Sequence, residues 1–288
     1  MEREIITFDY AIKNVLRDKA NFDILSGFLT ELLERPITVQ EILESEGNTE
    51  TAEGKVNRLD LKAKIDDGEI AVFEIQFYYK LDFIGKVLFN VCKAVVEQIS
   101  KGQEYDVKKV YSINIVYENL GAKDEYIFSA GLTEFKGWHF DESIPFSQNL
   151  GVYSNTPKYI HPEYFLIFPN NFDDDYIVEG RSKDYIVKKP RKSKFDEWVY
   201  VLKRSIVKEE FTAAGIKEAG EKLNTMKMTP QERADYEAAR RAIADRRIEL
   251  QSAKFLGREE GIGIGEVRGV GKEKKEAKAA KEAKAAKA

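Results

Sequence analysis

Apolar residues recur along this chain in two rhythms, one of period two and one near 3.6, and their order outlines a mixed fold. Phe8, Ile12, Val15 and Leu16 follow helical spacing, and Asn21 opens a second helix carrying Phe22, Leu25, Phe28, Leu29, Leu32 and Leu33 until Pro36 ends it. Residues 37–43 read as a strand. After a polar stretch, two further strands, 58–65 and 70–77, flank Asp66-Asp67-Gly68-Glu69. The most periodic segment comes next, a helix capped by Asp82 whose apolar positions, among them Phe83, Ile84, Leu88, Cys92 and Val96, are expected to face a sheet. Residues 107–117 form the clearest remaining strand, with shorter candidates at 126–130 and 164–168. The order helix, strand, strand, strand, helix, strand predicts an α/β domain, a mixed sheet flanked by helices.

Beyond residue 180 the pattern changes. Residues 196–208 read as a helix, and Thr229-Pro230-Gln231-Glu232 combines a capping box with proline at the first helical position, opening a long charged helix to about Phe255. Residues 257–271 hold Gly261, Gly263, Gly265, Gly269 and Gly271 with no preceding strand, which excludes a dinucleotide loop and reads as a flexible joint. The final stretch is low-complexity Lys, Glu and Ala. Three regions are therefore expected: a domain over 1–180, a charged helical extension over 181–256, and a flexible tail over 257–288.

Charge sharpens this division. Residues 1–180 carry 18 Lys/Arg against 32 Asp/Glu, whereas residues 181–288 carry 28 against 18, so a net charge of −4 hides an acidic body and a basic tail. The tail reads either as a surface for nucleic acid phosphates or as a solvated helix face that can mediate a homodimer. A single cysteine, Cys92, excludes an internal disulfide, and with only two histidines a structural zinc site is not expected. Any metal should be oxygen-bound. No signal segment and no apolar run of about 20 residues is present, so the sequence-based expectation is a cytoplasmic protein with no membrane partner.

Glu74 carries the most chemistry. An ionised carboxylate among Ile, Val and Phe loses hydration that only a cation or strong donors replace. Gln76, two residues on, projects from the same strand face. A two-residue Asp67-Gly68 turn would put Asp60 on the other face. A three-residue loop, a type I turn over Asp66-Asp67 with Gly68 left-handed, pairs Ile65 with Glu69 and sets Asp60 opposite Glu74. The second arrangement is the one expected, and it gathers two carboxylates and an amide into an oxygen cluster suited to Mg²⁺ or Mn²⁺.

Arg58-Leu59-Asp60, Glu74-Ile75-Gln76, Asp9-Tyr10-Ala11-Ile12-Lys13, and Gln98 followed by Gly102 and Tyr105, set in this element order, resemble the PD-(D/E)xK nuclease superfamily, and within it the Rpn-like recombination-promoting nucleases and transposases. The resemblance implies a restriction-endonuclease-like αβββαβ core with a helical C-terminal extension and Mg²⁺-dependent hydrolysis of DNA phosphodiesters. It implies Asp60, Glu74 and the main-chain carbonyl of Ile75 as metal ligands, with Gln76 where the superfamily usually has lysine. Glutamine brings no positive charge, so Lys13, Lys62 and Lys64 are the candidate cations. Asp9 reads either as closing the site or as a surface partner of Lys13, and Gln98 either reaches the site or only ends its helix. A nuclease-like protein that binds nucleic acid or self-assembles without cutting is the alternative function.

Overall fold

The computed structural model describes residues 3–43, 61–77, 82–99, 107–118, 125–131, 134–136, 143–145, 161–173 and 193–285. Its elements in chain order are β1 (Arg3–Glu4), α1 (Phe8–Asn14), α2 (Phe22–Leu32), β2 (Val39–Ile42), β3 (Leu61–Ile65), β4 (Glu69–Gln76), α3 (Phe83–Val96) and β5 (Val110–Val116). They continue with β6 (Ile127–Gly131), β7 (Glu134–Lys136), β8 (Ser143–Pro145), β9 (Glu163–Ile167), α4 (Phe195–Arg204), β10 (Ile206–Val207), α5 (Ile216–Lys222) and α6 (Pro230–Ala285). The six-stranded sheet has the order β2-β3-β4-β5-β9-β6, with β4, β5 and β9 parallel and the remaining pairs antiparallel. It is the α/β mixed sheet that the periodicity predicts.

The two sheet faces are packed differently. Odd-numbered residues of β4 face α2, where Phe73 meets Phe28 at 6.0 Å between ring centroids, and Phe28 in turn packs on Phe8 and on Trp198 of α4. Even-numbered residues face α3: Ile70 and Val72 cluster with Val91, Ala94 and Val110. α3 buries Phe83, Val87, Asn90, Val91 and Ala94. Ile84, Leu88, Cys92 and Val96, expected to point inward, are exposed. The apolar positions of α3 span more of its circumference than the roughly 100° arc one sheet face covers.

The β3–β4 hairpin has the three-residue loop expected, since Ile65 pairs with Glu69 and the register runs without slip to Leu61 opposite Phe73. Gly68 has φ of 101°, a backbone value that favours glycine. The turn itself differs from type I, because Asp66 has φ of 39°. Its carboxylate is what holds it there: one oxygen accepts from the Thr38 N–H at 2.8 Å and the other from Arg35 at 2.5 Å, and Asp tolerates the left-handed region better than most residues. Arg35 also pairs with Glu69 and donates to the Tyr111 hydroxyl at 3.1 Å. Although burial works against its charge, those partners carry the Arg35 pKa above the usual guanidinium value, so the clamp stays charged.

By packing, the chain divides into a compact unit from Met1 to Thr229, which includes α4 and α5, and a second from Pro230 to Ala288. α4 and α5 pack closely on α2. Gly27 sits so near residues 214–215 that a Cβ there would lie 2.3 Å from the Ala214 carbonyl oxygen. Glu31 accepts from the Ala214 N–H at 2.7 Å, and the Trp198 indole donates to the Ala214 carbonyl at 3.1 Å. Within the second unit, α6 starts at Pro230 as the capping box predicts, but it continues through Gly257 and Gly261 where a joint was expected. Its Ala, Glu, Lys and Arg content supports helix against a cost of about 1 kcal/mol per glycine.

Candidate active site

Glu74 lies near the carboxyl end of β4, where open parallel sheets place their ligands, and only 3% of it is exposed. Two side chains from α3 meet it. Lys86 forms an ion pair with Oε1, and the Asn90 amide donates to Oε2 at 3.3 Å. Lys86 and Asn90 are four apart and share one helix face. α3 runs back along β4 after a short connection, so its first turns necessarily lie over the strand's last residues. That geometry brings Lys86 and Asn90, neither anticipated from sequence, onto Glu74. The available signal was Asn90, an amide set among the apolar positions Val87, Val91 and Ala94.

The layer around Glu74 is polar and buried. Asn114 of β5 is its register partner, 1% exposed, with its amide nitrogen donating to the Phe165 carbonyl at 3.1 Å and to the Ser112 hydroxyl at 3.0 Å. The Oδ1 atoms of both Asn90 and Asn114 are buried without a hydrogen-bond partner among the described residues. Buried carbonyl oxygens are rarely left so. Gln76 is 5% exposed on the same strand face as Glu74, as the alternation requires, and its main-chain carbonyl accepts from the Tyr117 N–H at 2.9 Å. Since Ile70 and Gln76 bond to the β5 side, Ile75 turns its backbone groups toward the β3 side.

The other expected residues divide clearly. Asp60 lies outside the described residues, one position before the first described residue of β3. Lys62 and Lys64 are on the Glu74 face, as expected, but Lys62 pairs with Glu97 at 2.6 Å and Lys64 runs toward the turn at Gly68. Neither reaches Glu74. Gln98, at the far end of α3, spends its amide on the chain entering β5: Oε1 accepts from the Lys108 N–H at 2.7 Å and Nε2 donates to the Lys108 and Ala94 carbonyls at 3.2 Å. It therefore anchors the α3–β5 connection rather than the Glu74 cluster. Asp9 is 6% exposed, buried rather than a surface residue, and its charge acts on Tyr117, which follows β5. Burial first, and the Asp9 charge second, push the Tyr117 hydroxyl above the ordinary tyrosine range. Asp9 is thus at the same end of the sheet as Glu74 but on the α1 face. Lys13 is in α1, with its side chain outside the described residues.

A divalent cation fits this chemistry. The donors are oxygens, the carboxylate is buried, and two buried amide oxygens of the same layer have no hydrogen-bond partner among the described residues. Among the described residues no three His, Cys, Asp or Glu side chains gather, so any such ion would draw on Asp60 or on main-chain and amide oxygens in addition to Glu74. Among them, too, no helix is long and apolar enough to cross a membrane.

In comparison with known proteins, residues 6–146 match the model of PD-(D/E)XK nuclease family transposases. No curated protein and no solved structure matches the chain.

Proposed function

We propose that this chain, whose residues 6–146 match the model of PD-(D/E)XK nuclease family transposases, is a Mg²⁺- or Mn²⁺-dependent endonuclease that hydrolyses DNA phosphodiester bonds, serving recombination, transposition or defence. The observation that carries this reading is Glu74, a carboxylate held in a buried polar layer at the end of the parallel strands with a lysine against it. Asp60, which the three-residue loop is expected to bring opposite Glu74, directly precedes the first described residue of β3 in the sequence. Asp60, Glu74 and the Ile75 carbonyl would hold the metal, which supplies charge stabilisation and Lewis acidity at the scissile phosphate.

The chain's own groups do the rest. Asn90 fixes the orientation of the Glu74 carboxylate from one side. Lys86 supplies the positive charge that Gln76 lacks; once its ammonium leaves Glu74 it is free to face phosphate oxygens as negative charge builds in the transition state. Gln76, on the same face, orients the attacking water or a phosphate oxygen with its amide. Asp9, at the same sheet end, adds a negative charge that favours cation binding. The basic C-terminal region contributes phosphate contacts.

The test is plasmid DNA incubated with purified protein and Mg²⁺, alongside Asp60→Asn and Glu74→Gln. Metal-dependent cutting lost in both variants supports the assignment, and cutting that survives either variant refutes it. A second reading, a nuclease-fold protein that binds DNA without cutting, is favoured by the same Glu74–Lys86 pair, because lysine already neutralises the carboxylate. Salt-sensitive DNA binding with no metal-dependent cleavage would select it.

A further inference from the structure

The outer side of α3 is apolar and open. Ile84, Leu88 and Val96 are 60%, 54% and 67% exposed, Phe89 is 52% exposed, and Cys92 is exposed between them. Positions 84, 88, 92 and 96 form one unbroken i, i+4 row, so these are a single stripe rather than scattered surface residues. The charged residues of this helix are turned elsewhere: Lys86 to Glu74, and Lys93 to Glu97. Leu166 of β9 and Phe128 of β6 lie in the same register row as Glu74 and Asn114, on the α3 face, and Phe128 is itself exposed. Among the described residues no second helix covers that half of the sheet.

We propose that this face joins two copies of the chain through an antiparallel pairing of their α3 helices. Three observations select a second copy as the occupant. The first is area. The exposed parts of the four large residues amount to about 400 Å² of apolar surface, and a two-fold contact buries that twice, about 800 Å². That is close to the apolar share, about 900 Å², of a standard interface of about 1,600 Å². The second is self-complementarity. The row is symmetric about its midpoint, so an antiparallel twin sets Ile84 against Val96 and Leu88 against Cys92, large against small, as an isologous contact demands. The third is Gly85, beside the stripe, where a Cβ would meet nothing within 4 Å. Packing inside the chain gives no reason for glycine in the first turn of α3, whereas close approach of a second helix does. Antiparallel pairing also opposes the two helix dipoles favourably. The surface is independent of what Glu74 binds.

The experiment uses the full-length protein, with light-scattering mass and Cys92 labelling by a maleimide measured on wild type, Leu88→Glu and Gly85→Arg. Both substitutions fall at open positions, so a thermal unfolding transition is expected to persist in each and serves as the folding control. The expected result is a mass near twice 33.0 kDa for wild type, falling to one chain in both variants with the dimer dissociation constant raised at least about 30-fold. Labelling of Cys92 should be slow in the wild-type dimer and fast in the variants. A wild-type mass of one chain at tens of micromolar overturns the proposal. So does an oligomer that neither variant disrupts, which would move the contact to α6 or elsewhere. Cys92 labelling that is equally slow in all three proteins would show the face covered by the chain's own residues, and it too overturns the proposal.

Discussion

Replacing Lys86 by methionine separates a structural ion pair from a working cation. The Lys86 and Glu74 side chains are 16% and 4% exposed, so the pair is largely desolvated. Removing one member of a buried pair leaves an uncompensated charge and costs about 3–5 kcal/mol. Asn90 still donates to one Glu74 oxygen, so the lower end, about 3 kcal/mol, is expected. For a compact unit of this size that is a fall of about 6–12 °C in unfolding midpoint. Lys86→Met/Glu74→Gln, with no charge left to bury, should recover most of the loss. Metal reverses the sign. With lysine gone, no ammonium competes for the Glu74 carboxylate, so saturating Mg²⁺ should raise the midpoint of Lys86→Met more than that of wild type; a concentration 100-fold above Kd is worth about 2.7 kcal/mol. DNA cleavage should fall about 10²–10³-fold all the same, because a preorganised charge is missing. The assays are metal-free and metal-saturated thermal unfolding beside plasmid cleavage. A midpoint within 1 °C of wild type (roughly the resolution of such a shift), a loss that persists in the double variant, or equal stabilisation of wild type and Lys86→Met by Mg²⁺ would refute the reasoning.

Other consequences follow from backbone contacts and burial. Gly27→Ala forces a methyl to 2.3 Å from the Ala214 carbonyl oxygen, and should cost about 3 kcal/mol in urea unfolding; wild-type stability would contradict the packing of α5 on α2. Gly68→Ala has room for its methyl but must hold φ at 101°, so a loss of about 1 kcal/mol is expected, and a neutral result would argue against the three-residue loop. Tyr117 keeps its proton in the folded state above the pH at which the unfolded chain loses it. Its contribution to stability is therefore complete below pH about 10 and falls as pH rises further, by up to about 1.4 kcal/mol per unit, and Tyr117→Phe should flatten that alkaline limb in pH-dependent unfolding.

The parts of this fold legible in sequence are those set by local alternation. Of the two loop lengths open to Asp66-Asp67-Gly68, the three-residue one sets the β3–β4 register, and the side-chain period then puts Lys62, Glu74 and Gln76 on one face. The turn type was not legible, because Asp66 takes its positive φ from Arg35 and Thr38, 31 and 28 residues away. Burial on α3 was misread for a related reason: its apolar period identifies a helix but does not say how much of its circumference the sheet covers. Lys86 was invisible because a lysine on an amphipathic helix ordinarily faces water, and only the return of α3 across the end of β4 makes it the partner of Glu74. The placement of α4 and α5 within the first unit depends on Gly27 and Trp198, contacts far apart in sequence.

A crystal soaked in Mn²⁺ and measured at a wavelength giving anomalous signal for manganese tests the central assignment most directly. The account predicts a peak about 2 Å from a Glu74 carboxylate oxygen, shared with Asp60, and a Lys86 ammonium displaced from its ion pair. Saturating Mn²⁺ with no peak there and Lys86 still bound to Glu74 would contradict it.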